Sequence, residues 1–239
     1  MNLSNNKILW IAPVVGLVAS IVLSVTTFQY ELEKEHSSFI AESNLLFNNI
    51  KVSFDELDTV NKNISLLFNT SDVISENRFN LFTKPTLSHY PFIESIYYIP
   101  RIKKTDLKKI ELQKQNIGYT SFKFRTFPED TYSPTPSEKY IFPIDFVQPF
   151  TVINSTLVGM DILTFKLVQK EIMLSTQMGN TLVFSPGKNI FYAFSSLYYG
   201  NEVPNSFEMN IDNVYAILGY KISTSKLLSY IAFPDRYIL

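Results

Sequence analysis

The chain has 239 residues, 46% of them apolar and 15% aromatic, enough to bury a substantial core. A net charge of −1 and a pI near 6.2 leave no basic stripe of the kind a phosphate backbone requires, so nucleic acid is excluded as a partner. Cysteine is absent, which removes disulfides, a thiol nucleophile and thiolate metal sites.

Ile8 to Phe28 runs 21 residues without a charge. At about 1.5 Å per helical residue it can cross the roughly 30 Å apolar thickness of a bilayer. It exceeds the roughly 7–15-residue apolar region of a cleaved signal peptide, and no small-x-small cleavage site follows it. The expectation is a transmembrane anchor at 8–28 behind a cytoplasmic tail at 1–7. Lys7 and the amino terminus precede the span, whereas Glu31, Glu33 and Glu35 follow it against Lys34 alone. Positive charge stays inside, so the remaining chain is expected outside the cell's inner (plasma) membrane, periplasmic or extracellular, after a single pass.

From Gln29 to Asn69 there is neither Pro nor Gly. Apolar residues recur at Leu32, Phe39, Leu46, Ile50, Phe54, Leu57, Ile64 and Leu67, close to a heptad stripe. Glu33, Lys34, Glu42, Asn48, Lys51, Glu56 and Lys62 take the opposite face. This predicts a stalk helix over 29–70, about 40 residues and roughly 60 Å long, continuing from the anchor. Such a stripe needs a partner, and the expected one is a second copy of the chain, in a homodimer paired through the stalk.

Ser75 with Glu76 marks a helix start, and Pro91 the end of that helix after Phe79, Phe82 and Leu87, with Pro85 inside. Phe92–Ile102 reads as a strand stopped by Pro100. Thr105 opens a helix over DLKKIELQKQNI that Gly118 closes. In YTSFKFRTF, Phe122, Phe124 and Thr126 alternate with Lys123 and Arg125, predicting a half-buried strand. Strands are expected at Lys139–Phe146, Leu157–Asp161, Thr181–Phe184, Ile190–Ser195 and Tyr215–Ile222. Helices are expected from Thr164 to Gly179 and from Ser223 onward. Connections after Gly179 are too short for helical crossovers, so that part of the sheet must be antiparallel. The fold class is α+β, a sheet domain over 71–222 with helices on one side and a linker helix at 223–239.

Two blocks then resemble a known family. Pro91, the strand ending Pro100-Arg101-Ile102, Asp106, Ile110-Glu111 and Gly118 form the first. Tyr140, Pro143, Pro149, Asn154 and Leu157-Val-Gly-Met-Asp161, then Gly179, form the second, and LGYKISTSKLL is a weaker third. Together they resemble the CHASE domain, the extracellular sensory module of membrane histidine kinases and nucleotide cyclases, including the plant cytokinin receptors. Leu107, Tyr98 and Gln169 depart from the Arg, Trp and Arg usual in that family. The resemblance implies a PAS-like sheet domain that binds a small molecule and signals through dimer rearrangement. It also implies a second unit, a second span and a cytoplasmic enzyme; none is found before Leu239, which suggests a truncated, split or degenerate sensor with no enzyme activity of its own.

By resemblance Asp161 is a ligand-binding carboxylate, and Val183 offers backbone groups to the same ligand. Asp161 read from its surroundings is equally a cap for the following helix. Tyr97, Phe122, Phe124 and Phe142 are candidate pocket walls, each also readable as plain core. No cofactor or metal is expected: His36 and His89 are the only histidines and lie far apart in the chain. No catalytic constellation stands out. The alternative reading is a membrane-anchored structural or interaction protein, pilin-like in outline, although no basic leader ending in Gly precedes the span.

Overall fold

A computed structural model describes residues 5–69, 74–129, 131–134, 137–178, 182–187, 189–198 and 213–232. The chain divides into two units, Met1–Val52 and Ser53–Leu239.

The first unit is helical throughout its described part, within α1 (Asn5–Asn69). Every side chain from Val15 to Asn48 is exposed, including large apolar ones such as Leu23, Phe28, Phe39 and Leu46. The stretch beginning at Val15 is long and apolar enough to cross a membrane, as the uncharged run predicts. The anchor and stalk are one uninterrupted helix because nothing between Gln29 and Asn69 breaks it; Pro13 lies inside α1.

The second unit is built on a five-stranded sheet in the order β4-β1-β7-β6-β5. Its strands are β1 (Ile93–Pro100), β4 (Phe146–Gln148), β5 (Leu182–Gly187), β6 (Ile190–Tyr198) and β7 (Val214–Ser223). Every pairing is antiparallel, which the expectation from short connections covered only for the strands after Gly179. β2 (Ile102–Lys103) and β3 (Tyr140–Ile141) form a separate two-stranded ribbon.

Register sorts the side chains. Tyr97, Gly219 and Phe194 lie abreast on one face, and Tyr98, Leu218 and Ser195 on the other. The second face is covered by the end of α1 and by α2 (Glu76–His89). Asn61 of α1, 5% exposed, donates from Nδ2 to Ser195 Oγ at 2.6 Å and accepts from the Tyr220 hydroxyl at 3.1 Å. Phe79 of α2 packs on Tyr98 and Phe146 at ring centroid distances of 6.4 and 5.8 Å. Ser75 caps α2, accepting from the Arg78 amide. The first face is covered by Phe142, Ile144 and residues 157–172, which run into α5 (Gln169–Met178), whose Ile172 is fully buried in the same cluster as Tyr97 and Phe194. Helices therefore lie on both faces of the sheet rather than on one. β7 runs through the middle of the sheet between β1 and β6, so each face must be covered independently.

Three expected strands differ. YTSFKFRTF opens in a turn closed by the Phe122 amide on the Tyr119 carbonyl, and the rest joins no sheet; its one bridge is Arg125 with Met160. Its amides go elsewhere: Phe124 to Glu111 Oε1 at 2.8 Å, Arg125 to the Gly159 carbonyl at 2.8 Å and Phe127 to Thr164 Oγ1 at 3.0 Å. Its alternation records half-burial, not a ladder. Lys139–Phe146 splits into β3 and the start of β4 because Pro143 has no amide to donate. Leu157–Asp161 is a turn with two single bridges, forced by Gly159 at φ 86°. A Cβ at Gly159 would meet the Lys123 carbonyl oxygen at 2.8 Å, so both backbone and space demand glycine. The helix expected from Asp106 behind a Thr105 cap forms as α3 (Leu107–Asn116), with Thr105 instead inside a 3-10 turn at Lys104–Asp106, and Gly118 beyond it takes φ 114°. After α4 (Val152–Ser155), the last helix is α6 (Thr224–Ala232), where Ser223 Oγ accepts the Lys226 amide at 3.4 Å.

Candidate functional site

Between the first face of the sheet and its cover lies a cavity of about 140 Å³. Tyr97 and Ile99 of β1 with Tyr192 and Phe194 of β6 make its floor. Ile144, Leu157, Ile162, Phe165 and Val168 roof it, and Phe127 closes one side. Gly219 lies between Tyr97 and Phe194: a Cβ there would sit 3.3 Å from Phe194 Cε1 and 3.4 Å from Tyr97 Cδ2.

The roof is held by backbone bonds. Ile144 donates to the Met160 carbonyl at 3.0 Å, Gly159 to that of Ile144 at 2.8 Å and Ile162 to that of Phe142 at 2.9 Å. Gln169 ties the far end, donating to the Leu163 and Pro134 carbonyls at 2.6 and 2.7 Å while accepting from Ser133 Oγ.

The walls are ring-rich. Phe127 and Phe165 stack at 4.5 Å and 10°, and Tyr192 and Phe194 lie within 8° of parallel. Burial pushes the Tyr97 hydroxyl up to about 12, against a weaker opposing pull from its hydrogen bond with Ser95. Tyr192 is raised by burial too; Lys221, its cross-strand neighbour, pulls the other way. Lys221 itself pairs with Glu94 at 3.0 Å, and Lys226 reaches the same carboxylate at 3.3 Å.

Of the residues singled out from sequence, Tyr97 lines the cavity. Asp161 borders it through its neighbour Ile162 and does not line it. Its carboxylate is 4% exposed; Oδ1 accepts the Phe142 amide at 3.0 Å and the Leu163 amide at 3.1 Å, capping a 3-10 turn at Ile162–Thr164. Burial raises its pKa, and the two amides pull it back only in part. Phe142 is fully buried in the core beside the cavity. Phe122 faces a different, open recess with Tyr119 and Phe150, and Phe124 packs edge-on against it at 5.1 Å. Val183 pairs with Ala193 in the β5–β6 ladder; its side chain lies outside the described residues.

Phe127, Phe165, Tyr192 and Gly219 escaped sequence reasoning. Only the alternation of Tyr192 with Phe194 within a strand signalled a shared face. Among the described residues no group of three His, Asp or Glu could hold a metal ion.

Residues 72–186 match the family model of the CHASE domain. That stretch contains β1, the roof and β5, while β6 and β7 complete the sheet beyond it. No curated protein matches the chain.

Proposed function

Because residues 72–186 form a CHASE domain, a sensory module of membrane receptors, we propose that this chain is the extracytoplasmic, ligand-sensing part of a membrane signal-transduction receptor. The observation that carries the reading is the ring-walled cavity between sheet and cover. Concave, mostly apolar, preformed space of this kind is where small molecules bind. The sheet and its cover act as a PAS-like clamp.

Signal leaves through the sheet. Strands β6 and β7 floor the cavity region with Phe194 and Gly219, and on their other face Ser195 and Tyr220 hold Asn61 of α1. A ligand that favours one spacing of these strands biases the helix that carries the anchor; it can do so only through unequal affinity for the two arrangements. The bias is read as a rearranged homodimer paired along α1. The span is single, with the amino terminus cytoplasmic. This chain catalyses nothing itself; the kinase or cyclase output is supplied by other residues.

The test is a melting screen of the full chain in detergent micelles against small metabolites. At least one compound raises Tm by several degrees, as selective binding to the folded state must. Leu157→Phe, which fills the cavity, removes that shift. Shifts that survive the filled cavity would take the cavity out of the function.

A further inference from the structure

Resting on that reading of the cavity, we infer that its ligand is a small, uncharged, flat molecule of about six to ten heavy atoms, gripped by ring faces and anchored by no carboxylate or ammonium group of the protein. Size comes first. About 140 Å³ is close to the roughly 150 Å³ of an engineered apolar cavity that takes up benzene. A nucleoside, a peptide or a sugar chain exceeds it.

Polarity comes second. Among the described residues ten side chains line the cavity, all hydrocarbon or aromatic, and their only polar atoms are the Tyr97 and Tyr192 hydroxyls. Two carboxylates adjoin roof residues in sequence and neither lines the cavity: Asp161 gives Oδ1 to two backbone amides, and Asp145 pairs with Lys114 at 2.6 Å. A charged ligand would give up its hydration for no compensating partner, a cost of several kcal/mol in general terms. A cation meets a further objection, because Lys221 stands across the strand from Tyr192. The Glu94 charge is spent on Lys221 and Lys226.

Shape comes third. Two near-parallel ring pairs, Phe127 with Phe165 and Tyr192 with Phe194, present flat walls. The floor at Gly219 leaves the facing edges of Tyr97 and Phe194 unobstructed by any side chain. Rings meet rings best offset or edge to face, so a planar guest fits this lining better than a branched one of equal volume.

The test compares three probes that share one ring: fluorobenzene, 4-fluorobenzoate and 4-fluorobenzylammonium. Fluorine NMR line broadening is measured on the full chain in micelles, and on Leu157→Phe and Gly219→Ala, each checked by melting for a retained fold. Micelle partition is common to all three proteins, so the difference between native and filled cavity reports the site. The expected result is broadening of fluorobenzene by the native protein, reduced in both variants, with both ions bound at least roughly tenfold more weakly. If either ion binds as well as fluorobenzene and is lost on filling, this inference falls while the cavity remains the sensing site. If no probe distinguishes native from filled protein, the cavity reading falls and this inference falls with it.

Discussion

The Asp161 carboxylate has Oδ1 3.0 Å from the Phe142 amide and 3.1 Å from that of Leu163, in a setting 4% exposed. Asp161→Ala orphans two buried donors, and at about 1–3 kcal/mol each the roof should lose roughly 2–6 kcal/mol of stability in chemical denaturation. Asp161→Asn keeps a side-chain oxygen for those donors and should lose less than about half as much. It should also keep any ligand-induced rise in Tm, because the carboxylate does not line the cavity. Loss of that rise in a well-folded Asp161→Asn would return the carboxylate to the ligand. The two readings of Asp161 open to sequence thus separate on one amide substitution. Sequence could place an acid at the end of an apolar run, but not say whether its oxygens turn toward the backbone or a guest. That depends on Phe142, 19 positions away in the chain.

Besides the bonds of Glu111 and Gln115 to the Phe124 amide and the Phe122 carbonyl, α3 is docked by a largely buried ion pair, and its behaviour with pH follows from that pair. Lys114 Nζ lies 2.6 Å from Asp145 Oδ1, with the two side chains 15% and 16% exposed, and 4.7 Å above the Phe146 ring. Burial raises the Asp145 pKa above the ordinary 3.8, and Lys114 holds it partly back. In Lys114→Met that restraint is gone, so the folded-state pKa rises further. An acid whose pKa is raised by folding is stabilised by protonation, so its penalty is absent below about pH 3.8 and grows as pH climbs through the folded value. Lys114→Met should therefore lose roughly 3 kcal/mol near neutral pH, and the gap to the native protein should close on acidification. A pH-independent gap would mean that the lysine acts by packing alone. The helix itself was legible, since LKKIELQKQN has a Gly stop two residues on. Its partner was not, because Asp145 follows Pro143 in a segment whose alternation points to a longer strand. Strands β5 to β7 were readable as apolar, aromatic and β-branched runs that pair with their neighbours in sequence. Extended segments whose amides bind side chains, as at Phe124 and Phe127, carry the same alternation without a ladder.

The whole molecule is governed by an imbalance in α1. Beyond the stretch long enough for a bilayer, Leu32 is 58%, Phe39 69% and Leu46 46% exposed, at heptad spacing. Apolar residues repeated this way on a helix are stable in water only against a matching seam. In the proposed homodimer a second copy of the chain would supply one. Because the protein has no cysteine, a single introduced thiol reports the seam without background. Phe39→Cys lies on the stripe, and Ala41→Cys, two residues on, lies about 200° round the helix at about 100° per residue. A disulfide forms only when Cα atoms approach to roughly 4.4–6.8 Å. In membranes treated with copper phenanthroline, Phe39→Cys should give a covalent dimer several-fold faster than Ala41→Cys. Adding a cavity ligand should change the Phe39→Cys rate, since the bound state must favour one seam geometry to signal at all. Equal rates at the two positions would show that the stripe is not the seam. A rate indifferent to a ligand that raises Tm would break the link between cavity and helix while leaving the dimer in place.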